Sequence, residues 1–363
     1  MVQLILHIGH PKTGTTSLQR TYLRQRKEMA ARGVLYPYLN RESDRHSALI
    51  PALIGKELVT GDVAFAPHWP GGDVMGQSAH MWHDVLRQMD EVQPHTVVLS
   101  GEGFFMLHRT WQMQEMRARL VDLFDKITVV AYLRSPQSRF LSSYQQGLKT
   151  AGNQAFLQPR PYMPVIRAWD MHGPGQLDLH VFDRNLMAGG NVVQDFTSRY
   201  APDVLDLIQT DGTRELNSSI SAEAMAVMQR HIPLVDHLKN PERRAVWQPV
   251  REVMMHLDQT TPGYTRPRLL PEAAEIIQRR SMDIRWMRSD YDITFADVDY
   301  DIVSSQDKNR KWRPMVEELC QIDPVRLARM EPAAQAALER ARILPTTFLK
   351  RARRKLLDQI RNR

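Results

Sequence analysis

The residues with the clearest chemical potential lie in one short segment near the start of the chain, Leu4–Gln19 (LILHIGHPKTGTTSLQ). Lys12 brings a positive charge into a loop bounded by Gly9 and Gly14, and hydroxyl side chains follow it. Ammonium, hydroxyl and unpaired backbone N–H groups at a helix start all favour a cluster of anionic oxygens. The segment therefore predicts phosphate or sulfate binding by Lys12, Thr13, Gly14, Thr15, Thr16 and Ser17.

The elements that must position this loop are a buried strand before it and a helix after it. The apolar run Leu4–Ile8 is long enough for a strand and too short for a helix. Two glycines and a proline then break the pattern, and a helix with one apolar face begins at Thr15. The glycine spacing is that of a Walker A motif, but Lys12 precedes the second glycine instead of following it. The loop alone leaves a divergent P-loop kinase open.

Further apolar runs alternate with amphipathic segments in the first half of the chain. The runs 95–100, 127–133 and 177–182 predict strands. Helices are predicted over 78–91, 111–125, 136–149 and 190–200. This alternation is typical of an α/β fold whose parallel sheet is covered on both faces. Residues 214–296 and 324–360 have mostly helical patterns. We therefore expect a P-loop-like parallel sheet flanked by helices, with a helical C-terminal extension.

Polar side chains follow three of the predicted strands at the point where each strand ends. The Lys12 loop follows the first strand, Glu102 the second and Arg134 the third. Ligands of parallel sheets bind beyond the carboxyl ends of the strands. We therefore expect these groups to gather at one edge of the sheet. The segment 38–74 is rich in Pro, Gly and His, and we expect it to be irregular, with His46 as a surface residue.

Composition narrows the class of protein. The single cysteine, Cys320, excludes an internal disulfide framework and a cysteine-rich metal site, which fits a reducing cytoplasm. We find no pattern of metal ligands and expect no metal. The first apolar stretch is too short for a signal peptide, and no apolar run approaches the roughly 18 residues of a membrane-spanning helix. We therefore expect a cytoplasmic protein.

The net charge of +7 is concentrated in the last residues. The segment 345–363 carries seven Lys or Arg and one Asp, so the rest of the chain is nearly neutral. A nearly neutral body gives no reason to expect a nucleic-acid partner. The tail combines a basic face with apolar residues, which is compatible with peripheral docking on the inner face of a membrane. A solvated helix or an oligomer contact explains it equally well.

A second motif lies in the segment Tyr132–Lys149 (YLRSPQSRFLSSYQQGLK). A strand ends at Arg134, a proline opens the next helix, and Ser142 follows eight residues after the arginine. Together with PKTGTTSLQ, this order resembles the two nucleotide-binding motifs of sulfotransferases that use PAPS (3′-phosphoadenosine-5′-phosphosulfate). The resemblance implies that the Lys12 loop binds the 5′-phosphosulfate. It also implies that Arg134 and Ser142 bind the 3′-phosphate, the arginine in a forked, charge-assisted way.

Weaker similarities extend the resemblance to bacterial and heparan-type carbohydrate sulfotransferases over residues 1–296. The segment VLSGEGFFML places Glu102 after a strand, as in that family, and YDITF near residue 291 resembles the end of the family's domain. The segment that begins at Asn217 resembles an N-x-S-L-S-x-E-A element, which makes Asn217 a candidate for the adenine side. The resemblance implies a domain over 1–296, followed by an acidic loop and a basic helical tail over 297–363.

The chemistry that the resemblance implies is in-line transfer of a sulfuryl group from PAPS to a hydroxyl or amine, leaving PAP. Lys12 would neutralise charge on the leaving oxygen, and no metal is needed. Glu102 is the expected general base, with His10 as the alternative. The expected acceptor is a glycan or glycolipid, although a small hydroxylated metabolite stays open. A P-loop kinase, with Glu102 as its Walker B acid, and an inactive nucleotide-binding module are the competing hypotheses.

Overall fold

The computed structural model describes residues 1–39, 46–56, 73–150, 161–209, 219–303, 312 and 314–343. Its sheet has five parallel strands in the order β2-β3-β1-β4-β5. The strands are β1 Gln3–His7, β2 Val34–Leu35, β3 Thr96–Ser100, β4 Lys126–Leu133 and β5 Gln176–Val181. The parallel sheet flanked by helices confirms the predicted α/β class.

The helices of the described residues follow in chain order. The α-helices are α1 Thr15–Ala31, α2 Ile50–Ile54, α3 Val74–Val92, α4 Thr110–Leu120, α5 Pro136–Lys149, α6 Met163–His172, α7 Val192–Tyr200, α8 Leu205–Gln209, α9 Ala222–His231, α10 Asn240–Thr260, α11 Pro271–Arg279, α12 Asp283–Tyr291, α13 Val316–Leu319 and α14 Pro324–Ile343. Short 3₁₀-helices cover His46–Leu49, Glu102–Met106, Ala188–Gly190, Pro202–Val204 and Ile232–Leu234. Among the described helices, none combines the length and apolar character needed to cross a membrane.

The central strand β1 explains why the sheet is covered on both faces. Successive side chains of a strand point to opposite faces, and here both sets are apolar. Leu4 and Leu6 belong to one hydrophobic core and Ile5 belongs to the other. In the register, Leu6 lies beside Leu99 of β3 and Val129 of β4. The carboxyl ends of these three strands therefore meet at one edge.

The chain divides into two compact units, and each is discontinuous in sequence. Unit 1 comprises Met1–Arg139, Arg160–Leu216 and Ser281–Ser304, and it contains the sheet. Unit 2 comprises Phe140–Pro159, Asn217–Arg280 and Ser305–Arg363, and its described part has a helical core of its own. In unit 2, helix α9 packs against both α10 and α14. The predicted division at residue 296 stays a prediction.

Several elements differ from the sequence-based expectation. Helix α6 was not predicted, and α2 lies within a segment that we expected to be irregular. The helix predicted over 111–125 ends at Leu120. The basic tail 345–363 and the region around Asn217 lie outside the described residues, so the expectations for them remain open.

Candidate functional site

The loop between β1 and α1 has an unusual backbone. Gly9, Lys12 and Gly14 all adopt the left-handed conformation, with φ of 55°, 68° and 76°. At Gly14 a Cβ atom would also lie 2.6 Å from Cγ1 of Val192, so only glycine fits there without displacement. Lys12 is not glycine, and its positive φ is a local cost that the rest of the fold must offset. Backbone strain of this kind is concentrated at functional sites.

The start of α1 offers hydrogen-bond donors. Helix α1 begins at Thr15 with Gly14 as its N-cap, no side chain caps it, and its first turn contains no acid. The first backbone N–H groups of a helix have no intrahelical acceptor and attract negative charge. The Thr15 hydroxyl is buried and has no hydrogen-bond partner among the described residues. Thr16 and Ser17 beside it are partly exposed.

Thr13 forms hydrogen bonds inside the loop and does not lie at its exposed surface. Its side chain is fully buried, and its hydroxyl and backbone N–H both bond to the His10 carbonyl, at 2.6 Å and 3.3 Å. These bonds close a turn across Pro11 and Lys12. Thr13 was predicted as an anion ligand from its type alone. Its position in the structure gives its hydroxyl an intramolecular acceptor.

The segment after β3 rests directly on this loop. The Gly101 N–H donates to the His7 carbonyl at 3.0 Å, and the Phe105 N–H donates to the Ile8 carbonyl at 3.1 Å. A Cβ atom on Gly9 would lie 3.4 Å from the Cα of Glu102. The backbone of Glu102 is therefore adjacent to the loop, and its side chain is partly exposed. The structure brings Glu102 to the edge where the sequence predicted it.

Arg134 is bonded to the loop itself. Its Nε donates to the Lys12 carbonyl at 2.5 Å, its Nη1 donates to the Ser138 hydroxyl at 2.8 Å, and its guanidinium lies 4.6 Å from the centre of the Phe182 ring. Among the described residues, no acidic side chain forms a salt bridge with it. Burial, followed by repulsion from Arg184, lowers the pKa of Arg134 to about 10. The two bonds use only part of the donor capacity of a guanidinium.

The turn after Arg134 is held by residues that are distant in sequence. The Ser135 hydroxyl donates to the Asp297 carboxylate at 2.7 Å. The Tyr162 hydroxyl donates to the Arg134 carbonyl at 2.6 Å, and the backbone N–H groups of Tyr162 and Met163 donate to the Asp283 carboxylate. Sequence reasoning did not identify Asp283, Asp297 or Tyr162. The family similarity near residue 291 covers none of these three residues.

His10 lies beneath the loop, in an apolar setting. It is fully buried, with its ring 4.8 Å from Phe105 and 5.7 Å from Tyr162, and neither ring nitrogen has a hydrogen-bond partner among the described residues. Burial, followed by the charges of Arg139 and Arg134, lowers the pKa of His10 well below 6.5. A neutral, weakly basic imidazole results. Its role as the alternative base stays a prediction.

Two predicted binding residues remain, Ser142 and Asn217. Ser142 is partly exposed on α5, about two turns beyond Arg134, in the part of the helix assigned to unit 2. Asn217 is outside the described residues. The serine that bonds to Arg134 is Ser138, which the sequence analysis did not identify.

His46 is a correction to the sequence analysis. The expected surface histidine is fully buried. Its Nδ1 accepts a hydrogen bond from the Ser100 N–H at 2.9 Å, so its Nε2 carries the proton that is donated to the Pro37 carbonyl at 2.8 Å. Burial lowers its pKa to about 4. His46 therefore acts as a structural bridge at the end of β3.

Comparison with known proteins adds no family assignment, since no family model, no curated protein and no solved structure matches the chain. The described residues contain no group of three or more His, Cys, Asp or Glu side chains placed to hold a metal ion. The fold and the geometry define an α/β protein whose parallel sheet carries a strained, hydroxyl-rich loop at its carboxyl edge, bonded to an arginine that no described acid neutralises.

Proposed function

We propose that this protein is a sulfotransferase that moves a sulfuryl group from PAPS to a hydroxyl or amine of an acceptor. The observation that carries the proposal is the bond from Arg134 to the Lys12 carbonyl. It joins two motifs that resemble, independently, the 5′-phosphosulfate and 3′-phosphate motifs of one nucleotide family. Widely separated motifs that bind one ligand must meet in space, and these two do.

The local chemistry fits a ligand with two anionic groups. The uncapped start of α1 and the buried Thr15 hydroxyl offer donors on one side. Arg134 offers a guanidinium on the other. A partly buried cation that no described acid neutralises is costly unless a ligand supplies the negative charge. PAPS carries anionic groups at both its 5′ and 3′ positions. Charge-assisted bonds to such groups are among the stronger hydrogen bonds in proteins.

In this proposal, the protein contributes alignment and charge neutralisation. The loop holds the transferring group in line with the acceptor, which lowers the entropic part of the barrier. Lys12 and the N–H groups of α1 stabilise the charge that develops on the leaving phosphate oxygen. Glu102 accepts the proton of the acceptor hydroxyl. Its partial exposure favours it over the buried His10 as the group that meets an acceptor.

The role of Glu102 is tested separately from binding. Glu102→Gln keeps the shape of the side chain but removes the base, so we expect transfer to slow by about 10²–10⁴-fold. PAP affinity should stay unchanged. If His10→Gln slows transfer and Glu102→Gln does not, then the assignment of the base is wrong, while the sulfotransferase proposal survives.

The proposal is tested by calorimetric titration with PAP, and with ATP plus Mg²⁺, on the wild type and on Arg134→Ala. We expect PAP to bind without metal and the variant to lose this binding. Arg87→Ala is the matched control, because Arg87 is an exposed arginine of α3 that pairs with Asp84 and Glu91. Preference for Mg-ATP would overturn the proposal in favour of a P-loop kinase. PAP binding without transfer from labelled PAPS to any acceptor would indicate the inactive binding module.

The acceptor and the location of the protein are further parts of the proposal. We propose a glycan or glycolipid acceptor, and peripheral contact of the basic tail 345–363 with the inner face of a membrane. A screen with labelled PAPS tests the acceptor against small hydroxylated compounds. Flotation with anionic liposomes tests the tail by comparing the full chain with one that ends at Pro345. Equal recovery of both proteins would remove the membrane contact.

A further inference from the structure

The turn that follows β5 lies beside Arg134. Strand β5 pairs with β4 so that Val181 is opposite Leu133, and the Phe182 N–H donates to the Leu133 carbonyl at 2.8 Å. Phe182 directly follows β5 and Arg134 directly follows β4, so the two residues are neighbours and the guanidinium lies over the Phe182 ring. Arg184 is only two residues farther along this turn.

Hydrogen bonds fix the turn that carries Arg184. The N–H groups of Leu186 and Met187 both donate to the Asp183 carbonyl at 3.1 Å, and the Asn185 N–H donates to the Asp183 carboxylate at 2.9 Å. The end of the turn is attached to α7, because the Ala188 N–H donates to the Asp195 carboxylate at 2.9 Å.

Asp195 is itself anchored to the sheet and to its own helix. It accepts bonds from the Tyr132 hydroxyl at 2.7 Å and from Nε of Arg199 at 2.9 Å. Burial raises the pKa of Asp195, but the bonds from Arg199, Ala188 and Tyr132 outweigh burial and keep the pKa below its usual value. The anchor is therefore ionised at neutral pH. Arg184 is an exposed side chain on a turn that backbone and side-chain hydrogen bonds hold in place.

The guanidinium of Arg184 adds positive charge near Arg134. The two arginines repel each other, and this repulsion contributes to the lowered pKa of Arg134. Like charges on neighbouring elements repel each other, while an anion bound between them is attracted to both. A phosphate dianion suits such a pair, because it presents several strong acceptors to two donors.

We propose that Arg184 is a second binding residue for the 3′-phosphate of the donor nucleotide, acting beside Arg134 from the turn after β5. This assignment rests on the proposed sulfotransferase function. It predicts that Arg184 contributes to discrimination between nucleotides with a 3′-phosphate and nucleotides without one. Its effect should therefore be confined to the 3′-phosphate and should not extend to the 5′ end of the ligand.

The test is calorimetric titration of the full chain with PAP and with AMP, which lacks the 3′-phosphate. For Arg184→Ala we expect PAP affinity to fall by about 10-fold or more, from the usual strength of a charged hydrogen bond, with AMP affinity unchanged. Arg184→Lys should lose less, because it keeps the charge but not the fork. Arg87→Ala again controls for the loss of one positive charge. The exposure of Arg184 makes all these variants compatible with folding.

The outcomes separate the two proposals. If the wild type binds PAP and Arg184→Ala binds PAP and AMP as tightly as the wild type does, then the assignment of Arg184 is wrong and the proposed function stands. If Arg184→Ala weakens PAP and AMP equally, then Arg184 acts through general charge and the assignment is also wrong. If the wild type does not bind PAP, then the proposed function fails and the assignment fails with it.

Discussion

Arg326 of unit 2 is buried and Arg134 of unit 1 is partly buried, and the two arginines differ in the groups that pair with their charge. Arg326 is only 2% exposed, and it donates to the carboxylates of Glu223 and Asp258, each at 2.9 Å. Arg134 donates to a backbone carbonyl and a serine hydroxyl. The charge of Arg326 is neutralised within the fold, whereas no described acid pairs with Arg134.

A neutral side chain also forms hydrogen bonds with the charged groups of the cluster around Arg326. The Ser221 hydroxyl accepts from Arg326 at 2.5 Å and donates to Asp258 at 2.5 Å, and Ser221 also caps α9. Such a network joins α9, α10 and α14 and leaves little capacity for a ligand. The two arginines therefore differ in their partners: the charge of Arg326 is neutralised within the fold, and the charge of Arg134 is not neutralised by any described acid.

The largest effect should come from breaking the closed cluster. Arg326→Met would leave two buried carboxylates without a cation, and we expect it to destabilise unit 2 by about 3–5 kcal/mol. Urea unfolding measures the loss. The control is Arg230→Ala, which breaks an exposed pair with Glu317 and Glu331 and should cost no more than about 1 kcal/mol. Equal losses in the two variants would contradict the structural role of Arg326.

The same substitution at Arg134 should weaken ligand binding with little effect on stability. Arg134→Met is expected to change the unfolding free energy by less than about 1 kcal/mol, because lost hydrogen bonds are offset by the relief of an uncompensated charge. PAP affinity should fall by about 100-fold, the equivalent of one or two charged hydrogen bonds. The measurements are urea unfolding and titration on one preparation. A loss of unfolding free energy as large as that of Arg326→Met would contradict the distinction drawn between the two arginines.

A glycine pair tests whether the loop of unit 1 is as constrained as its backbone indicates. Gly14→Ala forces a side chain into a positive φ and toward Val192, so we expect a loss of about 1–3 kcal/mol and weaker PAP binding. Gly147→Ala in α5 is the control, because an added Cβ there meets nothing within 4 Å. It should stabilise the protein by about 0.5–1 kcal/mol. Thermal unfolding of both variants shows whether Gly14→Ala lowers the stability and Gly147→Ala raises it.

The buried histidines of unit 1 should make its stability depend on pH. Burial lowers the pKa of His7 to about 3 and that of His46 to about 4, from 6.5. Stability is fully present above the unfolded pKa and is lost as the pH falls from 6.5 toward these values, because only the unfolded chain then binds the protons. Each histidine contributes a slope of about 1.4 kcal/mol per pH unit. Urea unfolding between pH 7 and 5 should show a smaller slope for His46→Gln, and an unchanged slope would contradict this origin.

The local pattern of apolar and polar residues was enough to predict the sheet and the loop between β1 and α1. The apolar runs before Gly9, Gly101 and Arg134 are strands because parallel strands buried on both faces need continuous apolar sequence. Their polar successors then had to meet at one edge, as the loop, Glu102 and Arg134 do.

Contacts between distant segments were not predictable. Asp283 and Asp297 support the turn after β4, but nothing in their own neighbourhood specifies that turn as their partner. His46 was misjudged for the same reason. His46 accepts a hydrogen bond from the Ser100 N–H at the end of β3, a contact that the sequence around the histidine does not reveal.

The interleaving of the two units has a consequence for synthesis. All five strands have left the ribosome once Val181 has emerged, yet Ser135 must wait for Asp297, 162 residues later, and Tyr162 for Asp283, 121 residues later. Helices α9, α10 and α11 are translated in that interval. The nascent chain therefore contains every described strand of the sheet before it contains the aspartates that bond to the turn after β4, and before unit 2 is complete. The turn that carries Arg134 is among the last parts of unit 1 to be completed.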